Sequence, residues 1–163
     1  MKATITWLED AMFEGESGSG HKVIMDGPET AGGKNRGVRP MEMLLLGTAT
    51  CSAFDVVSIL KKSRQDVTGC VAEADAVRAD AVPAVFEKIH MIFRVKGRNL
   101  DPAKVKRAVE LSAEKYCSAS IMLGKGGVEI THEFTIENEC QSLERALRRS
   151  LIFLKRAYEP TAH

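Results

Sequence analysis

Two thiols hold matching places in the two long helical stretches of this chain. Cys51 lies in PMEMLLLGTATCSAFDVVSILKK, residues 40–62, and Cys117 in DPAKVKRAVELSAEKYCSASIML, residues 101–123. A thiol inside a helix is usually inert packing. Two thiols on the inner sides of separate helices, each beside polar residues, could meet and exchange electrons; spacing alone leaves inert packing and redox pairing both open. Residues three, four and seven apart share a helix face. The Cys51 face therefore carries Gly47, Thr48, Asp55 and Ser58, a polar stripe in an otherwise apolar helix. A buried Asp55 needs a partner, because desolvation otherwise drives a carboxylate neutral. Left unpaired, its charge would raise the thiol pKa. If Cys51 is reactive, Asp55 is expected to be committed to a cation or to backbone donors. The Cys117 face carries Ala113, Glu114, Ser120 and Ile121. Cys70 and Cys140 have no polar surroundings in sequence and read as packing.

The elements that would position these thiols follow an α+β order. Residues 2–9 alternate as a strand, Met12–Glu16 is a second, SGSG at 17–20 turns, and His21–Met25 returns. Residues 27–39 hold four glycines and a proline, too many for regular structure, and so form a candidate functional or mobile loop. Pro40 opens a helix at the position where a missing N–H costs nothing. That helix is apolar nearly all round, which marks it as buried and central. Residues 66–79 and 85–96 alternate again. Asp101-Pro102 starts a helix that runs to the glycines at 124, 126 and 127, and residues 128–136 form a last strand. Residues 139–159 repeat leucine at helical spacing with arginine and lysine on the other faces. They read as an amphipathic helix packed on the body or on a second subunit, or less simply on a membrane.

Composition excludes several classes. The chain has 163 residues, enough for one domain with its own core. Lys+Arg is 23 against Asp+Glu 22, with no charge balance to attract nucleic acid or membrane. Four cysteines and four isolated histidines show no zinc spacing and no disulfide scaffold. The first three histidines, His21, His90 and His132, read as ordinary strand residues. The N-terminus lacks an apolar leader region, and the strongest apolar run, Met43 to Phe54, is 12 residues long. The expectation is a soluble, cytoplasmic, normally reduced protein.

The segment P-M-E-M-L-L-L-G-T-A-T-C-S-A-F-D-V-V-S-I-L at 40–60, with S-A-E-K-Y-C-S-A at 112–119, resembles the OsmC/Ohr family of osmotically inducible and organic-hydroperoxide-resistance proteins. Within that family it is similar to the YhfA-like branch. The GESGSGHKVIMDG hairpin and the element order agree, and the match runs from about residue 1 to 136. The resemblance implies an OsmC-like fold, βββ-α-ββ-α-β, with curved antiparallel sheets around two central helices in an intertwined homodimer. It divides the chain into an OsmC-like domain, 1–137, and a C-terminal helical extension, 138–163. The implied activity is thiol peroxidase, in oxidative and osmotic stress defence. Cys51 would attack an organic hydroperoxide and become a sulfenic acid. Cys117 would resolve it as a disulfide, and an external dithiol would reduce that. No metal or bound cofactor is implied. The alternative is a non-catalytic member that binds an apolar ligand in the dimer cleft.

The family's active members use an Arg from the N-terminal hairpin region and a Glu directly after the helix-start proline. Here Met41 follows Pro40, and the carboxylate is Glu42; residues 14–22 contain no arginine. Arg39 and Glu42 are therefore the expected helpers of Cys51, with Arg36 the other loop arginine. On a straight helix Glu42 lies half a turn from the Cys51 face, nine residues at ~100° each.

Overall fold

The computed structural model describes residues 1–139. The expected helix at 139–159 lies outside the described residues from residue 140 on. The first unit is a hairpin sheet: β1 (Ala3–Glu9), β2 (Met12–Ser17) and β3 (Lys22–Met25), all antiparallel in the order β1-β2-β3. His21 falls in the turn before β3 and not in a strand.

Residues 27–39 are irregular, as their glycines require, except for a single 3-10 turn at Glu29–Ala31. Three carboxylates hold the loop: Asp10 pairs with Lys34, Glu9 with Arg36, and Asp26 takes the loop's backbone donors. Asp26 is buried; its Oδ1 accepts from Gly27 N, and its Oδ2 from Lys34 N (2.9 Å) and Arg36 N (3.1 Å). These backbone donors hold the Asp26 pKa below the ordinary aspartate range. Arg36 is occupied here too, by Glu9 at 2.6 Å and Asp26 at 3.8 Å. Gly33 and Gly37 let the loop fold back on backbone, since a Cβ at either would collide with the carbonyls of Gly27 and Ile24 respectively.

Helix α1 spans Pro40–Lys62. Proline at its first position, Glu42 Oε2 accepting from Arg39 N at 2.9 Å, and Lys61 and Lys62 in the last turn suit the helix ends. It is long and apolar enough to cross a membrane by length and composition, yet Val56 and Leu60 are fully enclosed in the protein core. β4 (Asp66–Arg78) and β5 (Phe86–Arg98) are antiparallel, and β6 (Glu129–Asn138) pairs with β5 in parallel. The second sheet is thus mixed, β4-β5-β6, and not wholly antiparallel as expected. A parallel pair needs a crossover, and the helical segment between β5 and β6 supplies it. Central β5 buries Ile89, Met91, Phe93 and Val95 at period two, against Val56 and Leu60 of α1 and Val105, Ala108 and Val109 of the crossover.

The crossover is not one helix. α2 (Pro102–Leu111), capped by Asp101 Oδ1 on Ala103 N, gives way to a π-helical turn at Ser112–Tyr116. Cys117 then adopts an extended backbone, φ −70° and ψ 96°, and a new helix α3 (Ser118–Lys125) begins behind it. The helix expected from 101 to 123 is broken at its cysteine.

A thiol pair at the break between two helices

Cys51 sits at the middle of α1, and Cys117 is the residue before the first turn of α3. Their Sγ atoms and a carboxylate oxygen of Asp55 all lie within 4.8 Å of one another. The π turn makes this possible. The turn closes on Cys117, whose N–H donates to Ser112 O at 2.9 Å, and the extended backbone there breaks the crossover beside α1; π turns recur at functional sites.

The two thiols have different surroundings. Cys117 is fully buried. Its Sγ accepts from Ser52 Oγ (3.1 Å), Ser120 Oγ (3.2 Å) and Ser120 N (3.4 Å), and the Ser52 and Ser120 hydroxyls also touch at 3.1 Å. Ser112 Oγ donates to Ser52 O at 3.2 Å, so α1 and the crossover are pinned together beside the sulfur. Burial opposes ionisation of Cys117, but the donors of Ser120 and Ser52 outweigh it and hold this thiol below the ordinary range. Cys51 is partly open. Burial pushes its thiol up, a backbone N–H from Ala119 pulls the other way, and Cys117 and Asp55 add to the rise.

Asp55 lies where the helix face predicts, without the partner expected for it. Its Oδ2 is shielded from solvent and has no hydrogen-bond partner. Desolvation pushes its pKa up, and the charge of Lys62 only partly offsets this. Glu114, expected beside Cys117, is exposed instead, because the π turn changes the phase of the helix. Cys70 is a half-buried strand thiol pushed up by burial.

The structure does not bring Arg39 or Glu42 to Cys51 within one chain. Twelve and nine helical residues place their Cα atoms about 18 Å and about 14 Å from that of Cys51. Ser52 and Ser120 are the residues that matter most around Cys117. Ser120 is on the predicted face. Ser52 is not, and its only sequence signal is a hydroxyl next to Cys51 inside an apolar helix.

Two clefts flank the pair. One of about 420 Å³ is lined by Asp55, Ser58, Ile59, Lys62, Leu111 and Tyr116. The other, of about 460 Å³, is lined by Pro40, Met43, Leu44, Gly47, Thr48 and Ala119, mostly apolar and one turn from Cys51.

A family model described as OsmC-like protein matches residues 32–133. Protein YhfA of Escherichia coli strain K12 is 46% identical over 136 residues, covering 83% of this chain and 98% of its own length. The crystal structure of a hypothetical protein from Aquifex aeolicus VF5 is 26% identical with a TM-score of 0.74, covering 85% of this chain and 97% of that one. The organic hydroperoxide resistance protein OsmC of Legionella pneumophila shares the fold at a TM-score of 0.61 and 14% identity, over 82% of this chain and 95% of its own.

Proposed function

The chain belongs to the OsmC-like protein family, and on that premise we propose that it is a cytoplasmic thiol peroxidase that reduces organic hydroperoxides with electrons from an external dithiol. The observation that carries this reading is the approach of the Cys51 and Cys117 sulfurs to within 4.8 Å, one partly open and the other enclosed. The Cys51 thiolate attacks the terminal peroxide oxygen. The O–O bond breaks, the alkoxide takes a proton and leaves as the alcohol, and Cys51 becomes a sulfenic acid. Cys117 attacks that sulfur, hydroxide leaves as water, and the disulfide forms. The dithiol returns two electrons by attacking Cys51, the accessible sulfur, so the leaving thiolate is Cys117. A leaving group held by three hydrogen-bond donors suits that step. The apolar cleft beside Gly47 and Thr48 suits the organic part of the substrate.

Cys51 still needs a cation to ionise it, and among the described residues no ion pair places one beside it. A second copy of the chain answers this. α1 exposes Leu44, Leu46 and Phe54, and β1–β2 expose Ile5, Trp7 and Phe13, with Trp7 64% and Phe54 72% accessible. Apolar surface of this kind marks an interface. A second copy packed on the Leu44 and Phe54 side of α1, the side that carries Cys51, would bring its own 27–39 loop, with Arg39 at the helix start, toward that thiol. Sedimentation should give a dimer for the parent and a shift toward monomer for Phe54→Glu; a folded monomeric parent would sink the arrangement.

Purified reduced protein should consume an organic hydroperoxide only with a dithiol reductant present, and Cys51→Ser should abolish this. Oxidised protein should carry the Cys51–Cys117 disulfide. Absence of turnover in the parent, with ligand binding retained in the apolar cleft, would favour the rival reading of a non-catalytic stress protein that holds an apolar molecule.

A further inference from the structure

We propose that the reduced protein binds one divalent ion of borderline-soft character, of which zinc is the type, through Cys51 Sγ, Cys117 Sγ and a carboxylate oxygen of Asp55. The three ligand atoms are already gathered, each within 4.8 Å of the others. Around a tetrahedral zinc, with bonds of ~2.3 Å to sulfur and ~2.0–2.2 Å to oxygen, neighbouring ligands stand roughly 3.5–3.8 Å apart. Small side-chain rotations close that difference.

Asp55 supplies an independent sign. Its Oδ2 is shielded from solvent with no hydrogen-bond partner, and such a polar atom is costly unless something meets it. Among the described residues, no ion pair engages it. All three groups are anionic when they bind metal, and a divalent ion would offset two of those three charges.

The outer sphere is also in place. Cys117 Sγ takes hydrogen bonds from Ser52 Oγ, Ser120 Oγ and Ser120 N. Donors of this kind orient a metal-bound thiolate. Cys51 and Asp55 are one turn apart on α1, and Cys117 precedes α3, so the ion would tie the two helices together. Asp55 also lines a cleft with Ser58 and Lys62, and water from that side would be the fourth ligand, the three-ligand pattern of an open zinc site. Thiolates exclude magnesium and calcium.

Binding involves no electron transfer. Two Zn–S bonds and one Zn–O bond to Asp55 replace bonds from the ion to water, the two thiol protons go to solvent, and the ion stays divalent. The same sulfurs cannot hold both an ion and a disulfide, so occupancy belongs to the reduced state. The inference does not rest on the peroxidase reading, because its test contains no hydroperoxide.

The test is anaerobic titration of the reduced full-length protein with cadmium and with zinc, zinc against a chelator. The expected result is one ion per chain, a thiolate-to-cadmium charge-transfer band in the ultraviolet, and a rise in melting temperature with zinc. Cys70→Ser should bind unchanged. Asp55→Asn should keep the band and lose roughly tenfold or more in affinity. Parent oxidised with diamide to the disulfide, which keeps every atom of the fold, should bind no ion. Failure of the reduced parent to bind an ion stoichiometrically would overturn the proposal. So would undiminished binding by the oxidised parent or by the Cys51→Ser, Cys117→Ser double variant. An unchanged affinity in Asp55→Asn would remove the third ligand and with it the site as described.

Discussion

Replacing Ser120 with alanine should make the Cys51–Cys117 disulfide harder to reduce. The Ser120 hydroxyl donates to Cys117 Sγ at 3.2 Å, inside a fully buried site where no water can replace it. A hydrogen bond to a charged group is worth about 1.5–3 kcal/mol. Sulfur is a large, soft acceptor, and the backbone N–H of Ser120, 3.4 Å from the sulfur, survives the substitution, so the lower end applies. The bond is strong when Cys117 is the free thiolate and weak when its sulfur is in a disulfide. Its loss therefore destabilises the reduced form. About 1.5 kcal/mol is about tenfold in the equilibrium constant, which for a two-electron couple is about 30 mV toward more negative potential. Ser52→Ala should shift the potential in the same direction, because Ser52 Oγ also donates to Cys117 Sγ at 3.1 Å. The measurement is equilibration with dithiothreitol redox mixtures, acid quench, alkylation and mass counting of free thiols, with thermal unfolding to check the fold. A Ser120→Ala potential that is unchanged, or less negative, would refute the idea that these hydroxyls stabilise the reduced pair.

Asp26→Asn should loosen the 27–39 loop and lower the melting temperature at neutral pH. Because folding lowers the Asp26 pKa, its contribution is present above the ordinary aspartate value and disappears as pH falls through the folded one; the gap between parent and variant should therefore close below about pH 4 in a melting series. Leu60→Ala removes a fully enclosed side chain from the contact of α1 with the second sheet and should cost about 2–5 kcal/mol in urea unfolding at fixed protein concentration. Arg39→Ala should slow the reaction of Cys51 with organic hydroperoxide in stopped-flow thiol kinetics and leave unfolding unchanged, whereas Arg36→Ala should instead weaken the loop, since Arg36 is bound to Glu9 and Asp26. Equal rates for parent and Arg39→Ala at every pH would leave Arg39 a solvent-facing cap residue.

Local patterns in the chain were enough for most strand positions and the first helix, whereas the pairing of Cys51 with Cys117 came from the family resemblance and not from spacing. Period-two alternation marks β4, β5 and β6 to within two residues. Pro40 and the polar end at Lys61 and Lys62 mark α1 at both ends, because proline and charge act on the nearest turn of backbone. The Cys51 helix face placed Asp55 correctly for the same reason. What was not legible depends on contacts far apart in sequence. The parallel pairing of β6 with β5 is decided by the crossover, since either strand direction has the same alternation. The break at Cys117 lies in S-A-E-K-Y-C-S-A, which holds no proline or glycine to signal it; packing against α1 and the Ser112–Ser52 bond hold the π turn instead. The polarity of the thiol pair was likewise hidden, because Ser52 meets Cys117 across 65 positions. Sequence distance says nothing of which sulfur the hydroxyls will face. The separation of Arg39 from Cys51 was written in the helix rise from the start. Only the tertiary structure shows that Leu44 and Phe54 of α1 stay uncovered in the single chain, because what packs on a helix is decided by elements distant in sequence.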